Sequence, residues 1–207
     1  MNTTGVGKHS AKWSIIEGPR RTRTRRFIVG TEQKKKLEDY IVTIPDFPKP
    51  GIMFRDVTSA LADPEGFRLA VDSIAQKLEG LDYDLIAGIE ARGFFFAAPL
   101  AYRFGKGTVA IRKKGKLPRK TVSESYTLEY GVAEIEAHVD SVKPGQKVVI
   151  VDDLLATGGS TEATARLVEK LGGEVVKIVT LIELKDLHGR EKIAKYPYDS
   201  CITYAGE

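Results

Sequence analysis

Residues 147–161 constrain this chain of 207 residues more than any other stretch. They read Lys-Val-Val-Ile-Val-Asp-Asp-Leu-Leu-Ala-Thr-Gly-Gly-Ser-Thr. Val148, Val149, Ile150 and Val151 form a β-branched run, the pattern of a strand buried on both faces in a parallel sheet. Asp152 and Asp153 end the run, and the small residues Ala156, Thr157, Gly158, Gly159 and Ser160 make a turn. A helical pattern follows, with Ala163, Leu167, Val168 and Leu171 on one face and Gly172-Gly173 as the stop. Strand, acidic pair, glycine turn and helix together form the layout of a phosphate site. Glycines let backbone N–H groups approach an anion, and the helix N-terminus adds partial positive charge. The hydroxyls of Thr157, Ser160 and Thr161 add donors. Two carboxylates do not favour a phosphate, so they address something else, such as ribose hydroxyls or a hydrated metal ion. A βα turn with glycines placed only for packing explains the glycines but not the acids. A P-loop is excluded because no Gly-Lys-Ser/Thr triplet follows the turn.

The length suits one α/β domain with a full core. No apolar run is long enough to span a bilayer. The single Cys201 excludes an internal disulfide and fits a reducing compartment. The net charge of +4 misleads: residues 1–36 hold ten Lys/Arg against two acids, a net of +8, which leaves −4 for the remainder. The basic balance is therefore no argument that the domain binds nucleic acid. Residues 1–36 show no sustained amphipathic period and read as disordered or weakly ordered. An upstream start, an organelle transit peptide and an RNA- or membrane-binding arm compete as explanations.

The domain is expected from Leu37 onward. Residues 37–41 read as a short helix, and residues 44–51 are too rich in proline for either regular element. Residues 52–56 look extended. Asp63 caps a helix with Pro64 in its first turn. Phe67, Ala70, Val71, Ile74, Ala75 and Leu78 give that helix one apolar stripe for a sheet. Residues 84–89 form a core strand, and Glu90-Ala91-Arg92-Gly93 leads into a helix that Pro99 should kink. Gly105 to Ala110 mimics a dinucleotide fingerprint but precedes a strand-like run, 108–111, rather than a helix. Residues 112–124 are a long polar stretch, and 125–138 show strand-like alternation around Leu128, Tyr130 and Val132. Residues 175–182 read as a buried strand. The tail has a helical piece at 189–193 and an extended one near Ile202. Strands alternating with helices imply an α/β fold, a mostly parallel central sheet flanked by helices. Its ligand lies beyond the strands' C-terminal ends, where Glu90, Arg92, Asp152 and Asp153 fall.

Several segments in order carry a resemblance: Asp46-Phe47-Pro48, Gly51 to Asp56, Glu90 to Phe94, Arg112 to Pro118, Tyr126 to Gly131 and Leu154 to Ser160. From about Leu37 to the C-terminus the chain resembles the type I phosphoribosyltransferases, and among them the adenine phosphoribosyltransferase family. Residues 1–36 fall outside the match. The resemblance implies the type I fold with a small N-terminal hood region and a mobile loop, 112–130. It implies transfer of the 5-phosphoribosyl group of phosphoribosyl pyrophosphate (PRPP) to adenine, giving AMP and pyrophosphate. Mg²⁺ is expected through PRPP and water, with no direct protein ligand. A cytoplasmic homodimer is implied, with no membrane or nucleic-acid partner.

The resemblance also assigns roles. Ala156, Thr157, Gly158, Gly159, Ser160 and Thr161 would hold the 5′-phosphate. Asp152 and Asp153 would serve the ribose and hydrated Mg²⁺. Arg92, with the backbone of Ala91 and Gly93, would meet the pyrophosphate, as would Lys113 and Lys116 beside Arg112. Phe54 and Leu184 would sandwich the adenine, with Arg55 next to it. Glu129, beside Tyr130, would belong to a loop that closes on the reaction centre. Arg92, Asp153 and Glu129 are the expected catalytic residues. Spacing alone allows blander readings: a solvated charge run for the lysines, core for Phe54 and Leu184, an exposed strand residue for Glu129. A transferase for xanthine or hypoxanthine is the alternative enzyme. A PRPP-sensing regulator that binds nucleic acid through its basic N-terminus is the rival from another class. The intact stretch from Tyr126 to Gly131 favours an enzyme, because a sensor needs no closing loop.

Deleting residues 1–36 is expected to leave fold and activity unchanged. Circular dichroism and steady-state kinetics of the truncated protein check this, and a large loss of kcat/KM counts against it.

Overall fold

The computed structural model describes residues 35–127 and 131–205. Glu129 and Tyr130, and the basic segment 1–34, lie outside the described residues. In chain order the strands are β1 (Val42–Pro45), β2 (Met53–Asp56), β3 (Leu85–Ile89), β4 (Gly107–Lys113), β5 (Thr121–Thr127), β6 (Val132–His138), β7 (Lys147–Leu155), β8 (Glu174–Leu184) and β9 (Tyr198–Tyr204). The α-helices are α1 (Thr58–Ala62), α2 (Pro64–Leu78), α3 (Gly93–Phe104), α4 (Gly159–Lys170) and α5 (Gly189–Lys192). Short 3₁₀ turns occupy Leu37–Tyr40 and Lys185–Leu187.

One sheet has the order β5-β6-β4-β3-β7-β8-β9, and a separate antiparallel ribbon pairs β1 with β2. Strands β4, β3, β7, β8 and β9 run parallel to one another. The β5–β6 hairpin joins the β4 edge antiparallel, through Arg112 opposite Glu136 and Lys113 opposite Ile135.

The two-residue period of β7 sends its side chains into two cores. Val149 and Val151 pack with Ala70, Ile74 and Leu78 of α2 and with Phe96 and Leu100 of α3. Val148 and Ile150 pack on the other face with Ala163, Leu167 and Val168 of α4. Each such side chain, wholly withdrawn from water, contributes about 1.5–3 kcal/mol before its entropy cost. Helix α2 starts as its sequence demands: the Asp63 carboxylate accepts from the N–H groups of Glu65 (2.9 Å) and Gly66 (3.0 Å). Helix α4 ends at the glycine pair, where Gly173 N–H donates to Val168 O and Gly172 N–H to Glu169 O.

The topology makes a crevice. Strands β3 and β7 are neighbours, but β3 continues through α3 to β4 on one side and β7 through α4 to β8 on the other. This is the switch point at which open parallel sheets bind ligands.

Four sequence expectations need correction. Ile44 and Pro45, within the stretch 44–51 read as irregular, end strand β1, because Pro45 sits at the end of a two-stranded ribbon where its missing N–H costs no central ladder bond. The five-residue helix α1 had no sequence signal. Asp152 and Asp153 do not end the strand: β7 continues beside β8 to Leu155. The polar stretch is not one loop, since β5 pairs with β6 from Thr121–His138 to Thr127–Val132. Polar β5 lies flat because α4 supplies cations. Lys170 donates to Ser123 O (3.0 Å) and Glu124 Oε1 (3.0 Å), and Arg166 to Ser125 O (2.9 Å).

Glu136 pins the connection between β4 and β5. Only 4% exposed, its carboxylate accepts from the N–H groups of Lys116 and Leu117 and from the Thr121 hydroxyl. Glu136→Ala strands two backbone donors and is expected to destabilise the fold by about 1–3 kcal/mol per group. Urea unfolding measures it; a loss under about 0.5 kcal/mol would show that water replaces the carboxylate.

Candidate active site

Strand β3 pairs with β7 only as far as Gly88 opposite Val151, whereas β7 stays paired with β8 up to Leu155 opposite Glu183. Beyond Val151 the β3-facing edge of β7 is therefore open. A cleft of about 450 Å³ lies there, within the range of small-molecule sites. Three chain segments converge on it: 89–92 after β3, 152–161 from β7 into α4, and the β4–β6 region with Lys113, Tyr126 and Thr127.

The acidic pair forms its floor. Asp152 is 8% and Asp153 5% exposed. The Asp153 N–H donates to Asp152 Oδ1 at 2.9 Å. The Arg92 guanidinium, from the segment after β3, pairs with the Asp153 carboxylate across the crevice. Gly93 makes room for this: a Cβ there would meet Asp152 Oδ1 and Val151 O, each at 2.9 Å. Burial, and next the charge of Asp153, push the Asp152 carboxyl well above the usual carboxylate range.

Glu90 lines the same cleft. Burial acts to raise its pKa, but the Lys113 N–H (3.0 Å) and the Arg112 guanidinium (3.1 Å) outweigh it and hold the carboxyl below its usual range. Arg112 is thus a brace between Glu90 and Lys116 O rather than a free cation. Tyr126 of β5 leans over the glycine turn; a Cβ on Gly159 would lie 3.2 Å from its ring. Burial, then the nearby Asp152, raise its phenol pKa.

The turn from Ala156 to Gly158 delivers the start of α4. Gly158 has φ +78° and its carbonyl accepts from Glu162 N–H at 2.9 Å. The first-turn N–H groups of α4 have no intrahelical partner and suit an anion.

Eleven residues expected from the sequence line this one cleft: Ala91, Arg92, Lys113, Asp152, Asp153, Ala156, Thr157, Gly158, Gly159, Ser160 and Thr161. The side chain of Lys116 is exposed outside the lining, and only its backbone is engaged, by Glu136. Phe54, Arg55 and Leu184 are not among the residues lining this cleft. Arg55 stacks over the Tyr204 ring at 4.0 Å, Tyr204 pairs in register with Leu184, and Phe54 packs edge-on against Phe47 at 5.1 Å. The β1–β2 ribbon thereby reaches the C-terminal end of β9. Glu90, expected at the ligand end of the strands, also lines the cleft, whereas sequence reasoning missed Tyr126. The signal for Tyr126 was weak, since it lay within a matching segment without a role of its own. Among the described residues no group of three or more His, Cys, Asp or Glu is placed to hold a metal.

The phosphoribosyl transferase domain model matches residues 57–205. The chain is 62% identical over 173 residues to an adenine phosphoribosyltransferase of Butyrivibrio fibrisolvens, covering 84% of this chain and 96% of that one. It is 59% identical to the enzyme of the same name from Agathobacter rectalis, with 84% and 99% covered. The chain belongs to the adenine phosphoribosyltransferase family. Its structure superposes on the family member from Thermoanaerobacter pseudethanolicus with a TM-score of 0.79 at 53% identity, covering 82% of this chain and all of the other. The Saccharomyces cerevisiae member, solved with an imino-altritol bisphosphate and adenine, gives 0.77 at 36% identity, with 80% and 96% covered. In this adenine phosphoribosyltransferase family member, the matched region spans both the acidic pair and the glycine turn.

The raised Asp152 carboxyl makes a pH prediction. An acid whose pKa is higher in the folded than in the unfolded chain gives the folded state extra bound proton. Its stabilising effect is complete below the unfolded pKa and is lost as pH rises toward the folded one. Asp152→Asn keeps the carbonyl acceptor for Asp153 N–H and removes the titration. Its melting temperature relative to the original protein is expected to climb as pH rises above the ordinary carboxylate range, about pH 4. Thermal melts without ligand test this; a pH-independent difference would mean that Asp152 is ionised throughout.

Proposed function

We propose that the chain transfers the 5-phosphoribosyl group of PRPP to adenine, giving AMP and pyrophosphate, with Mg²⁺ bound through PRPP and water. The observation that carries the reading is the acidic pair on the floor of the switch-point cleft, facing Arg92 and adjoining the glycine turn. The name shared by relatives at up to 62% identity supports it. So does the complex of the Saccharomyces cerevisiae family member with adenine.

The site residues then divide the substrate. The turn 156–161 takes the 5′-phosphate on its N–H groups and hydroxyls. Asp152 and Asp153 accept from the ribose hydroxyls. Arg92 exchanges the Asp153 carboxylate for a pyrophosphate oxygen, helped by Ala91 and Gly93 N–H, with Lys113 nearby. Lys116 stays in the proposal as a residue that reaches the pyrophosphate only with a movement of its turn. Mg²⁺, held through PRPP and water, would supply positive charge beside the pyrophosphate. Positive charge that builds on the ribose ring as that bond breaks is balanced by fixed carboxylates in a cleft shielded from water. Phe54 and Leu184 sandwich the base, with Arg55 beside it. Glu129 and Tyr130, outside the described residues, complete the reading by resemblance. A cytoplasmic homodimer is part of the same proposal.

Formation of AMP from adenine and PRPP by the purified protein is the test, and absence of AMP at any Mg²⁺ concentration would end the reading. Phe54→Ala is expected to weaken adenine by about 1–3 kcal/mol, the value of base–aromatic stacking. An unchanged KM for adenine would return Phe54 to the core.

A further inference from the structure

The glycine turn has a backing outside the lining of the cleft. Gly189, the first residue of α5, lies directly behind it and is buried. A Cβ on Gly189 would stand 2.1 Å from Ala156 O and 2.8 Å from Gly158 N. A Cβ on Gly158 would stand 2.5 Å from Gly189 O. Backbone therefore meets backbone with no side chain between. The position of the turn is set by the position of Gly189.

Gly189 is in turn held by its neighbour. Arg190 donates through Nε and Nη2 to the two oxygens of Glu183, at 3.1 and 2.8 Å. Glu183 is 6% exposed and also accepts from the Ser200 hydroxyl at 3.1 Å. The guanidinium lies 4.9 Å from the Tyr198 ring centre. A two-pronged, partly enclosed ion pair is far more directional than an exposed one. Glu183 also sits opposite Leu155 in the β7–β8 ladder, and Leu155 immediately precedes the turn. The same residue thus adjoins the turn's entry, through its backbone in the ladder, and holds the turn's backing, through its carboxylate on Arg190.

We infer that Gly189 and the Glu183–Arg190 pair are positioning residues for the 5′-phosphate. They fix the backbone N–H groups of 156–161 at the spacing that a phosphate requires. The inference rests on the reading that this turn takes the 5′-phosphate of PRPP. It adds three residues, none of which lines the cleft.

The test compares the full chain with its Gly189→Ala, Glu183→Gln and Arg190→Lys variants. Calorimetry gives the affinity for ribose 5-phosphate, kinetics give the KM values for PRPP and adenine, and melts report folding. Gly189→Ala is expected to weaken ribose 5-phosphate and raise the KM for PRPP by about tenfold or more, since a displacement near 1 Å is enough for such losses. Glu183→Gln should do so by a few-fold, and Arg190→Lys by less. The KM for adenine should stay within about twofold in all three. Should Gly189→Ala fail to fold, Glu183→Gln decides. Unchanged ribose 5-phosphate affinity in the folded variants, or equal losses for adenine and PRPP that follow the melting temperature, would overturn the inference. Turnover by the unsubstituted protein is scored separately. No AMP with the expected loss of ribose 5-phosphate binding would refute the transferase reading and sustain the positioning role. Normal AMP formation with unaltered variants would do the reverse.

Discussion

Two adjacent carboxylates held out of water inside β7 are the constraint on which the site depends. A lone buried carboxylate is costly, and a pair more so. The structure offsets this with the Arg92 partner for Asp153, the Asp153 N–H on Asp152, and the elevated pKa of Asp152. Each compensation also shapes the site. Arg92 is drawn across the crevice, Gly93 must stay small, and β3 must stop where it does. The acids thus determine the geometry of the segment opposite them.

The parallel core was legible because burial on both faces leaves a distinctive mark. The Val148–Val151 run, the Asp63-Pro64 helix start and the Gly172-Gly173 stop are local signals with local causes. The helical stripe held less evenly, since Ala70, Ile74, Ala75 and Leu78 are fully buried whereas Phe67 and Val71 are only partly so. Strand β5 was not legible: an edge strand with Ser123, Glu124 and Ser125 has no hydrophobic alternation, and its stabilising cations come from α4, more than forty residues onward. Proline hid β1 for a related reason, since the ribbon's pairing is what makes it a strand.

The site followed the same division. The acids, the glycine turn and Arg92 announce themselves by order and spacing, because phosphate chemistry needs them in that order. Phe54, Arg55 and Leu184 do not. Their neighbourhood exists only once β2 and β9 are brought together, and without the resemblance they would read as core. Glu136, Glu183 and Gly189 left no mark, as each acts on a backbone or partner that the fold brings to it.

Strand β5 lies at the outermost position of the sheet, bonded to β6 on one side and leaning on α4 below. It nevertheless brings Tyr126 and Thr127 over the cleft. The roof of the site thus comes from an edge strand paired on one side only, while the floor belongs to a strand with β3 on one side and β8 on the other. Sequence drift in the cover can retune access and solvent exclusion, and it reaches the parallel core only by way of β6 and α4.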